Sequence, residues 1–132
     1  MKKKKRVWIV VIVAVIVVSG FIALMTYLNS VREYQRSVDN IVITDIDISK
    51  ILDGTYTGEC NVDFIYAKVE VIVKAGAIIK INLIEHKNGK GAPAEKITQD
   101  IIRKQKLDVD AISGATNSSK VIKKAIENAL ES

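Results

Sequence analysis

Residues 64–84 read FIYAKVEVIVKAGAIIKINLI, and this stretch decides the fold. Its first half places an apolar residue at every second position, namely Ile65, Ala67, Val69, Val71 and Val73. A tight turn at Ala75-Gly76 follows, and the alternation resumes in the second half with Ala77, Ile79, Ile81 and Leu83. A period of two with one apolar face predicts an antiparallel hairpin. That apolar face has to be covered by other elements of the chain.

Two later segments have the helical spacing that such a cover needs. Residues 92–106 place Ile97, Ile101 and Ile102 on one helical face, with Pro93 tolerated in the first turn. The same periodicity recurs over residues 121–130. Upstream, Asp53-Gly54 is typical of a turn that opens the domain. The prediction is an α+β domain of roughly 80 to 90 residues, with a small antiparallel sheet covered by two helices.

An apolar run near the start predicts a membrane anchor. Residues 7–28 are 22 residues without a charge, and as a helix they would span about 33 Å, enough for the hydrocarbon core of a bilayer. Trp8 and Tyr27 stand near its ends, where amphipathic aromatic residues favour the membrane interfaces. The alternative is a cleaved signal peptide. The run is long for that, and residues 25–28 (MTYL) do not form a small-residue cleavage site.

The basic residues predict the orientation of that anchor. The chain has 20 Lys and Arg against 15 Asp and Glu; five of the basic residues occupy positions 2–6, so 15 remain to balance the 15 acids. Positive residues before the helix predict a cytoplasmic N-terminus and a single-pass membrane protein whose domain is outside.

A neutral domain argues against nucleic-acid binding. A sole cysteine, Cys60, excludes an intramolecular disulfide or a cysteine-based metal site and predicts a half-buried structural thiol.

These observations divide the chain into four parts. They are a cytoplasmic basic segment at 1–6, a transmembrane helix at 7–28, a linker at 29–50 and an extracytoplasmic domain at 51–132. Within the linker, residues 29–40 either extend the helix or form a tether. Residues 41–48 alternate partly, which favours an extended segment laid against the domain.

The loop at residues 86–91, HKNGKG, is a basic connector that precedes a predicted helix. Its glycines allow the backbone to approach an anion closely, but the full phosphate-loop pattern is absent. An ordinary connector is the alternative. His86 is the sole histidine, and no nucleophile–base pair or metal-ligand spacing stands out. We therefore predict no catalytic residue and no metal site.

The turn at residues 110–119, DAISGATNSS, directly precedes the last predicted helix. Asp110 is suited to tie the turn to backbone N–H groups, and Gly114 permits a conformation that most residues avoid. Thr116 is then presented at the start of the helix, where an anionic group is favoured. The alternative is a plain helix cap, supplied by Thr116, Asn117 or Ser118.

The residues from Asp110 to Thr116 match the Asp-x-x-Ser/Thr-Gly-Ala-Ser/Thr signature, and here the chain resembles the FMN-binding domain family. That family includes flavin-bearing subunits of the sodium-translocating NADH:quinone reductase and small exported flavoproteins. The resemblance spans residues 52–130, including the opening Asp53-Gly54-Thr55-Tyr56 and the Gly89-Lys90-Gly91 loop.

The resemblance implies that Thr116 carries FMN through a phosphoester bond made by a separate exported FMN transferase. It implies contacts to the flavin or its phosphate from the loop, with the expected cofactor-binding set being Asp110, Ser113, Gly114, Ala115, Asn117, Ser118, Gly89, Lys90, Gly91 and His86. The implied function is an electron carrier between redox partner proteins or quinone, and not a stand-alone enzyme. Two alternatives remain open: a sensor or scaffold that holds FMN non-covalently, and a flavin-free anchored protein that binds a partner.

Overall fold

The computed structural model describes residues 1–88 and 91–132, which divide into two compact units at residues 1–35 and 36–132. Helix α1 spans Lys2–Asp39. By length and composition it can cross a membrane, and residues 7–28 are all exposed. The helix continues well beyond the predicted anchor, so residues 29–39 take the helical alternative. They contain no proline or glycine to end a helix.

The sheet has three antiparallel strands in the order β1-β2-β3. They span Gly54–Asn61, Ile65–Lys74 and Ala77–Asn88. A two-residue turn joins β2 to β3, and Ala75 and Gly76 both have positive φ angles, 53° and 74°, as a type I′ hairpin turn requires. Asp53 Oδ1 accepts a hydrogen bond from the Ala75 N–H at 2.8 Å. This contact ties the predicted opening turn to the hairpin.

The apolar face of β2 lies in the core as predicted, with its five inward residues at most 6% exposed. Helix α3, Thr116–Glu131, covers that face by packing on β1 and β2. The contact is made at backbone level, because a Cβ on Gly58 would lie 2.7 Å from Ala129 Cα and would overlap Ala125 O. Only glycine at this position of β1 lets the helix lie so close.

The second covering helix is shorter than predicted and packs on β3. Residues Ala92–Lys96 form a 3₁₀ turn with Pro93 in its first positions, and helix α2 spans only Ile97–Lys104. The helix ends at Gln105 in the left-handed conformation. The Gln105 side chain then pairs with both the N–H and the C=O of Ile78, each at 2.8 Å. It thereby occupies part of the free edge of β3.

The prediction for the inward face of β3 was wrong at Ile79. Val73 pairs with Ile78 but Ile72 pairs with Lys80, so Ile79 is an extra residue in a β-bulge. Such an insertion inverts the alternation of the strand. Ile78 is accordingly 1% exposed, whereas Ile79 is 53% exposed.

A second bulge in β3 inverts the alternation again at Ile84. Val69 pairs with Leu83 and Lys68 with Glu85, which leaves Ile84 unpaired and 54% exposed. The next inward position is therefore His86, which lies opposite the fully buried Ala67. Without this bulge, the inward position would fall on a neighbouring charged residue.

The segment before the sheet is hydrogen-bonded to the domain. Residues 41–47 have no regular structure and lead into a 3₁₀ turn at Ile48–Lys50. Asp45 Oδ1 accepts from the Leu107 N–H at 3.2 Å, and Lys124 Nζ donates to Val42 O at 3.3 Å.

Cys60 is half-buried, as predicted, and burial raises the pKa of its thiol while Lys124 opposes that rise.

Candidate functional site

A glycine-dependent turn leads into α3. The Ala115 N–H donates to Ile112 O at 2.9 Å, and Gly114 has a φ of 78°. A positive φ at the third residue of a hydrogen-bonded turn is the geometry of type II, which favours glycine. A Cβ on Gly114 would meet nothing within 4 Å. The requirement for glycine is therefore one of backbone conformation and leaves open space beside the turn.

Ser119 locks this turn to the helix that follows it. Its side chain is fully buried, its Oγ accepts from the Ile112 N–H at 3.0 Å, and the same hydroxyl donates to Ala115 O at 2.8 Å. Asp110, which the sequence predicts to tie the turn, is exposed, and the buried Ser119 makes these two bonds. The DAISGATNSS stretch contains Ser119, yet several hydroxyl residues stand together there. Spacing alone did not show which of them turns inward.

Lys123 is a second residue that sequence reasoning missed. It lies two turns into α3, is 9% exposed, and its Nζ donates a hydrogen bond to Val109 O. Desolvation lowers the pKa of the Lys123 ammonium, whereas the carboxylates of Asp108 and Asp110 act to raise it. Asp110 therefore contributes a negative charge close to the Lys123 ammonium.

Helix α3 begins at Thr116 itself. Its N-cap residue is Ala115, and no side chain makes a cap hydrogen bond there. The plain-cap alternative for Thr116, Asn117 or Ser118 is therefore not what the structure has. Thr116 is exposed, so its hydroxyl is accessible at the end of the helix where backbone N–H groups point outward.

The end of the glycine loop packs against the first turn of α3. A Cβ on Gly91 would overlap Ser118 Oγ and would lie 3.3 Å from the Cβ of Asn88. Gly91 and Ser118 are both buried. The two predicted loops therefore meet at these residues. Gly89 and Lys90, also predicted to bind the cofactor, lie outside the described residues.

His86 stands beside this junction with one ring nitrogen engaged. Its side chain is 3% exposed, and Nδ1 lies 3.1 Å from Glu95 Oε1. Asn88 Nδ2 lies 3.3 Å from the same ring nitrogen and donates to the His86 carbonyl oxygen at 3.3 Å. Nε2 is buried and has no hydrogen-bond partner in the described part of the chain. Glu95 and Asn88 were not among the predicted site residues.

The remaining predicted residues differ in accessibility. Some of them are open to solvent and others are buried. Asp110, Ser113, Gly114 and Thr116 are exposed, Asn117 is half-buried, and Ala115 and Ser118 are buried. Of the two exposed hydroxyl residues, Ser113 and Thr116, it is Thr116 that stands at the start of α3.

These features fit a phosphorylated flavin in two respects. The exposed Thr116 hydroxyl and the helix N-terminus suit a phosphate, and the unpartnered buried Nε2 of His86 suits the polar edge of a ligand. A family model independently covers residues 63–131, just over half of the chain, and it is the model of the FMN-binding domain. The chain therefore belongs to the FMN-binding domain family, and its cofactor is FMN.

Proposed function

We propose that this protein is a membrane-anchored flavoprotein that carries FMN covalently on Thr116 and transfers electrons outside the cytoplasm. The observation that supports the attachment site is the exposure of the Thr116 hydroxyl at the first residue of α3. A threonine at a helix start usually acts as a cap. Here Ala115 occupies the cap position, and the Thr116 hydroxyl makes no cap hydrogen bond.

The proposed bond joins Thr116 Oγ to the phosphorus of FMN. A hydroxyl cannot displace oxide from a free phosphate, so the donor must be an activated form such as a flavin dinucleotide. Its phosphorus–oxygen bond to the departing nucleotide breaks as the new ester forms, and the threonine proton passes to a base. Among the described residues no base is placed on Thr116 by a hydrogen bond. A separate exported FMN transferase is the partner we expect to supply it.

The packing around the turn would hold an attached phosphodiester in a favourable field. Its negative charge lies at the N-terminus of a 16-residue helix, a position worth about 0.3–1 kcal/mol for an exposed charge. Ser119 holds the turn below it, and Gly58 seats the helix on the sheet. Attachment also prevents loss of the cofactor, which matters outside the cell, where free FMN would diffuse away.

The anchor and its flanking charges support the proposed location. Helix α1 is long and apolar enough to span a bilayer, and five basic residues precede its apolar part. The positive-inside rule then places residues 2–6 in the cytoplasm and the FMN-binding domain on the other side.

Electron transfer follows from the cofactor, since FMN accepts and donates electrons and the protein supplies its position. Among the described residues, no group of three or more His, Cys, Asp or Glu side chains is placed to hold a metal ion. The proposed electron donor and acceptor are therefore other redox proteins or quinone. A domain that binds FMN non-covalently as a sensor, and an anchored partner-binding protein without flavin, are the alternatives that the test must separate.

The test is the fluorescence of the denatured protein after co-expression with an exported FMN transferase. The proposal predicts a flavin-fluorescent band on a denaturing gel for the wild type and for Thr116→Ser, and none for Thr116→Val. Thr57→Val, which removes an exposed threonine hydroxyl on β1, serves as the matched control and should stay fluorescent. Flavin that is bound in the native protein but released on denaturation would support the non-covalent sensor instead.

A further inference from the structure

The side chain of His86 combines burial with an unused hydrogen-bonding atom. It is 97% buried, and Nε2 has no partner within the described residues. Buried polar atoms are normally paired, and an unpaired one in a native protein is often explained by a missing ligand. The other inward positions of β3 include Ile78, Ile81 and Leu83. An apolar residue would therefore suit position 86 better if packing were its only role.

The neighbours of Nδ1 determine which form of the ring is present. Glu95 Oε1 lies 3.1 Å from Nδ1, and an ionised carboxylate can only accept a hydrogen bond. The hydrogen of the neutral ring is therefore on Nδ1, and Nε2 carries a free lone pair. The contact of Nδ1 with Glu95 Oε1, at 3.1 Å, is shorter than its contact with Asn88 Nδ2, at 3.3 Å, and the Asn88 amide also has the His86 carbonyl oxygen as an acceptor. We therefore assign the Nδ1 hydrogen to the bond with Glu95.

The β-bulge at Ile84 is what turns this ring inward. The pairing of Val69 with Leu83 and of Lys68 with Glu85 inserts one residue into β3. Bulges of this kind often re-aim a side chain beside a functional site. The inward direction of His86 is thus a consequence of an irregularity, and regular alternation would have placed a neighbour of His86 there.

A set of contacts connects His86 with the first turn of α3, the helix that begins at Thr116. His86 contacts Asn88, Asn88 lies beside Gly91, and Gly91 packs on Ser118 in the first turn of α3. Ser118 is two residues from Thr116. The 3₁₀ turn that carries Glu95 also packs against α3. His86 and the first turn of α3, which carries Thr116, therefore both border the junction at Gly91 and Ser118.

We infer that Nε2 of His86 accepts a hydrogen bond from an N–H or O–H group of the bound FMN, and that Glu95 is the positioning residue that holds the ring in the Nδ1–H form. This inference rests on the proposed function for the placement of FMN beside α3. The flavin ring system has an N–H group and the ribityl chain has hydroxyls, so FMN offers donors of the required kind. Glu95 acts only through His86.

The first test reads the ring directly by nitrogen NMR. Because His86 is the sole histidine, protein labelled with ¹⁵N-histidine and purified without a histidine tag gives one set of imidazole signals. In FMN-free full-length protein in detergent at mildly alkaline pH, we expect the Nδ1–H form. Glu95→Ala should shift the ring toward the Nε2–H form, whereas Glu95→Gln, which keeps an acceptor oxygen, should largely restore Nδ1–H. Glu131→Ala, at the exposed end of α3, should change nothing. A wild-type ring already in the Nε2–H form would overturn the inference.

The second test compares protein with and without FMN. Attached FMN should move the Nε2 signal toward the value of a hydrogen-bonded nitrogen, and free FMN added to Thr116→Val should move it in the same direction. If the intact mass of the co-expressed protein shows no added FMN, covalent attachment is refuted. The NMR titration of Thr116→Val with free FMN then still tests the role of His86. An Nε2 signal that responds neither to attached FMN nor to saturating free FMN would overturn the inference and leave the attachment at Thr116 untouched.

Discussion

The hydroxyl of Ser119 accepts a hydrogen bond from the backbone N–H of Ile112 at 3.0 Å, across the turn that precedes α3. This bond joins the two ends of the segment that carries Thr116. The same hydroxyl also donates to Ala115 O, so one buried side chain satisfies one donor and one acceptor of the turn. The turn that leads to the exposed Thr116, the proposed attachment site, is therefore supported by a buried residue.

Removal of that hydroxyl should weaken both the fold and the modification. Ser119→Ala loses two hydrogen bonds in a buried setting, and we expect the free energy of unfolding to fall by about 1–3 kcal/mol. Covalent FMN per protein should also fall because the turn is no longer held. Thermal unfolding and absorbance of the flavin measure the two effects. Ser113→Ala, at an exposed position of the same turn, should change stability by no more than about 0.5 kcal/mol. Equal stability of the two variants would contradict this role of Ser119.

Gly58 should be intolerant of a single added methyl group. The Cβ of Gly58→Ala would overlap the backbone of α3 at Ala125 and Ala129, so the helix must move away from the sheet. Overpacking of this kind typically lowers the free energy of unfolding by about 1–3 kcal/mol. We expect a loss near the upper end of that range, because the neighbour is backbone and cannot rotate away. Gly54→Ala is the matched control, because its Cβ would meet the Tyr56 ring at an ordinary 3.5 Å. If the Gly58→Ala and Gly54→Ala proteins unfold at the same temperature, the packing of α3 on β1 does not depend on glycine at position 58.

Lys123 predicts a specific dependence of stability on pH. Burial lowers its pKa in the folded protein from the ordinary 10.5, so between the lowered pKa and 10.5 the unfolded chain binds more protons. Stability then rises with pH across that window, since it increases wherever the unfolded state is the more protonated one. Lys123→Met removes the titrating group. The difference in unfolding free energy, wild type minus Lys123→Met, should increase from neutral pH toward 10.5. A difference that is flat or decreasing over this range would contradict the burial of a charged ammonium.

The charges that flank the apolar part of α1 should determine the orientation of the protein in the membrane. A reporter enzyme that is active only outside the cytoplasm, fused after Ser132, should be active on the wild type. Replacement of the five basic residues at 2–6 by glutamine leaves Arg32 and Arg36 as the nearest basic residues. The positive-inside rule then predicts a marked loss of reporter activity. Activity that is absent from the wild-type fusion would place the FMN-binding domain in the cytoplasm.

The elements that were predicted from the sequence are those with a strong local period. The alternation from Ile65 to Val73 predicted β2 and its buried face, and the spacing from Val121 to Leu130 predicted most of α3. The bulges at Ile79 and Ile84 were not predicted, because isoleucine stands both at the inserted positions and at inward ones. A pattern of apolar and polar residues cannot show which isoleucine is the extra one.

The residues of the candidate site that are adjacent in the sequence were predicted, whereas the pairs that folding brings together were not. The residues from Asp110 to Thr116 form one stretch with a recognisable order, so their turn and exposed hydroxyl were predicted. The contacts of His86 with Glu95 and of Lys123 with Val109 join segments that are nine and fourteen residues apart. Nothing in the local sequence marks such pairs. The role of Ser119 was not predicted, because its hydroxyl reaches the turn from inside the core.

The attachment of FMN to Thr116 is tested most directly by tandem mass spectrometry of the peptide from residues 107–120. Trypsin should release this peptide, because Lys106 and Lys120 bound it. It contains the hydroxyls of Ser113, Thr116, Ser118 and Ser119, so fragmentation distinguishes the candidate from its neighbours. From protein co-expressed with the transferase, we predict a peptide heavier by FMN less one water, with the added mass on Thr116 alone. An unmodified peptide from protein that still contains FMN, or the added mass on one of the serines, would contradict the account.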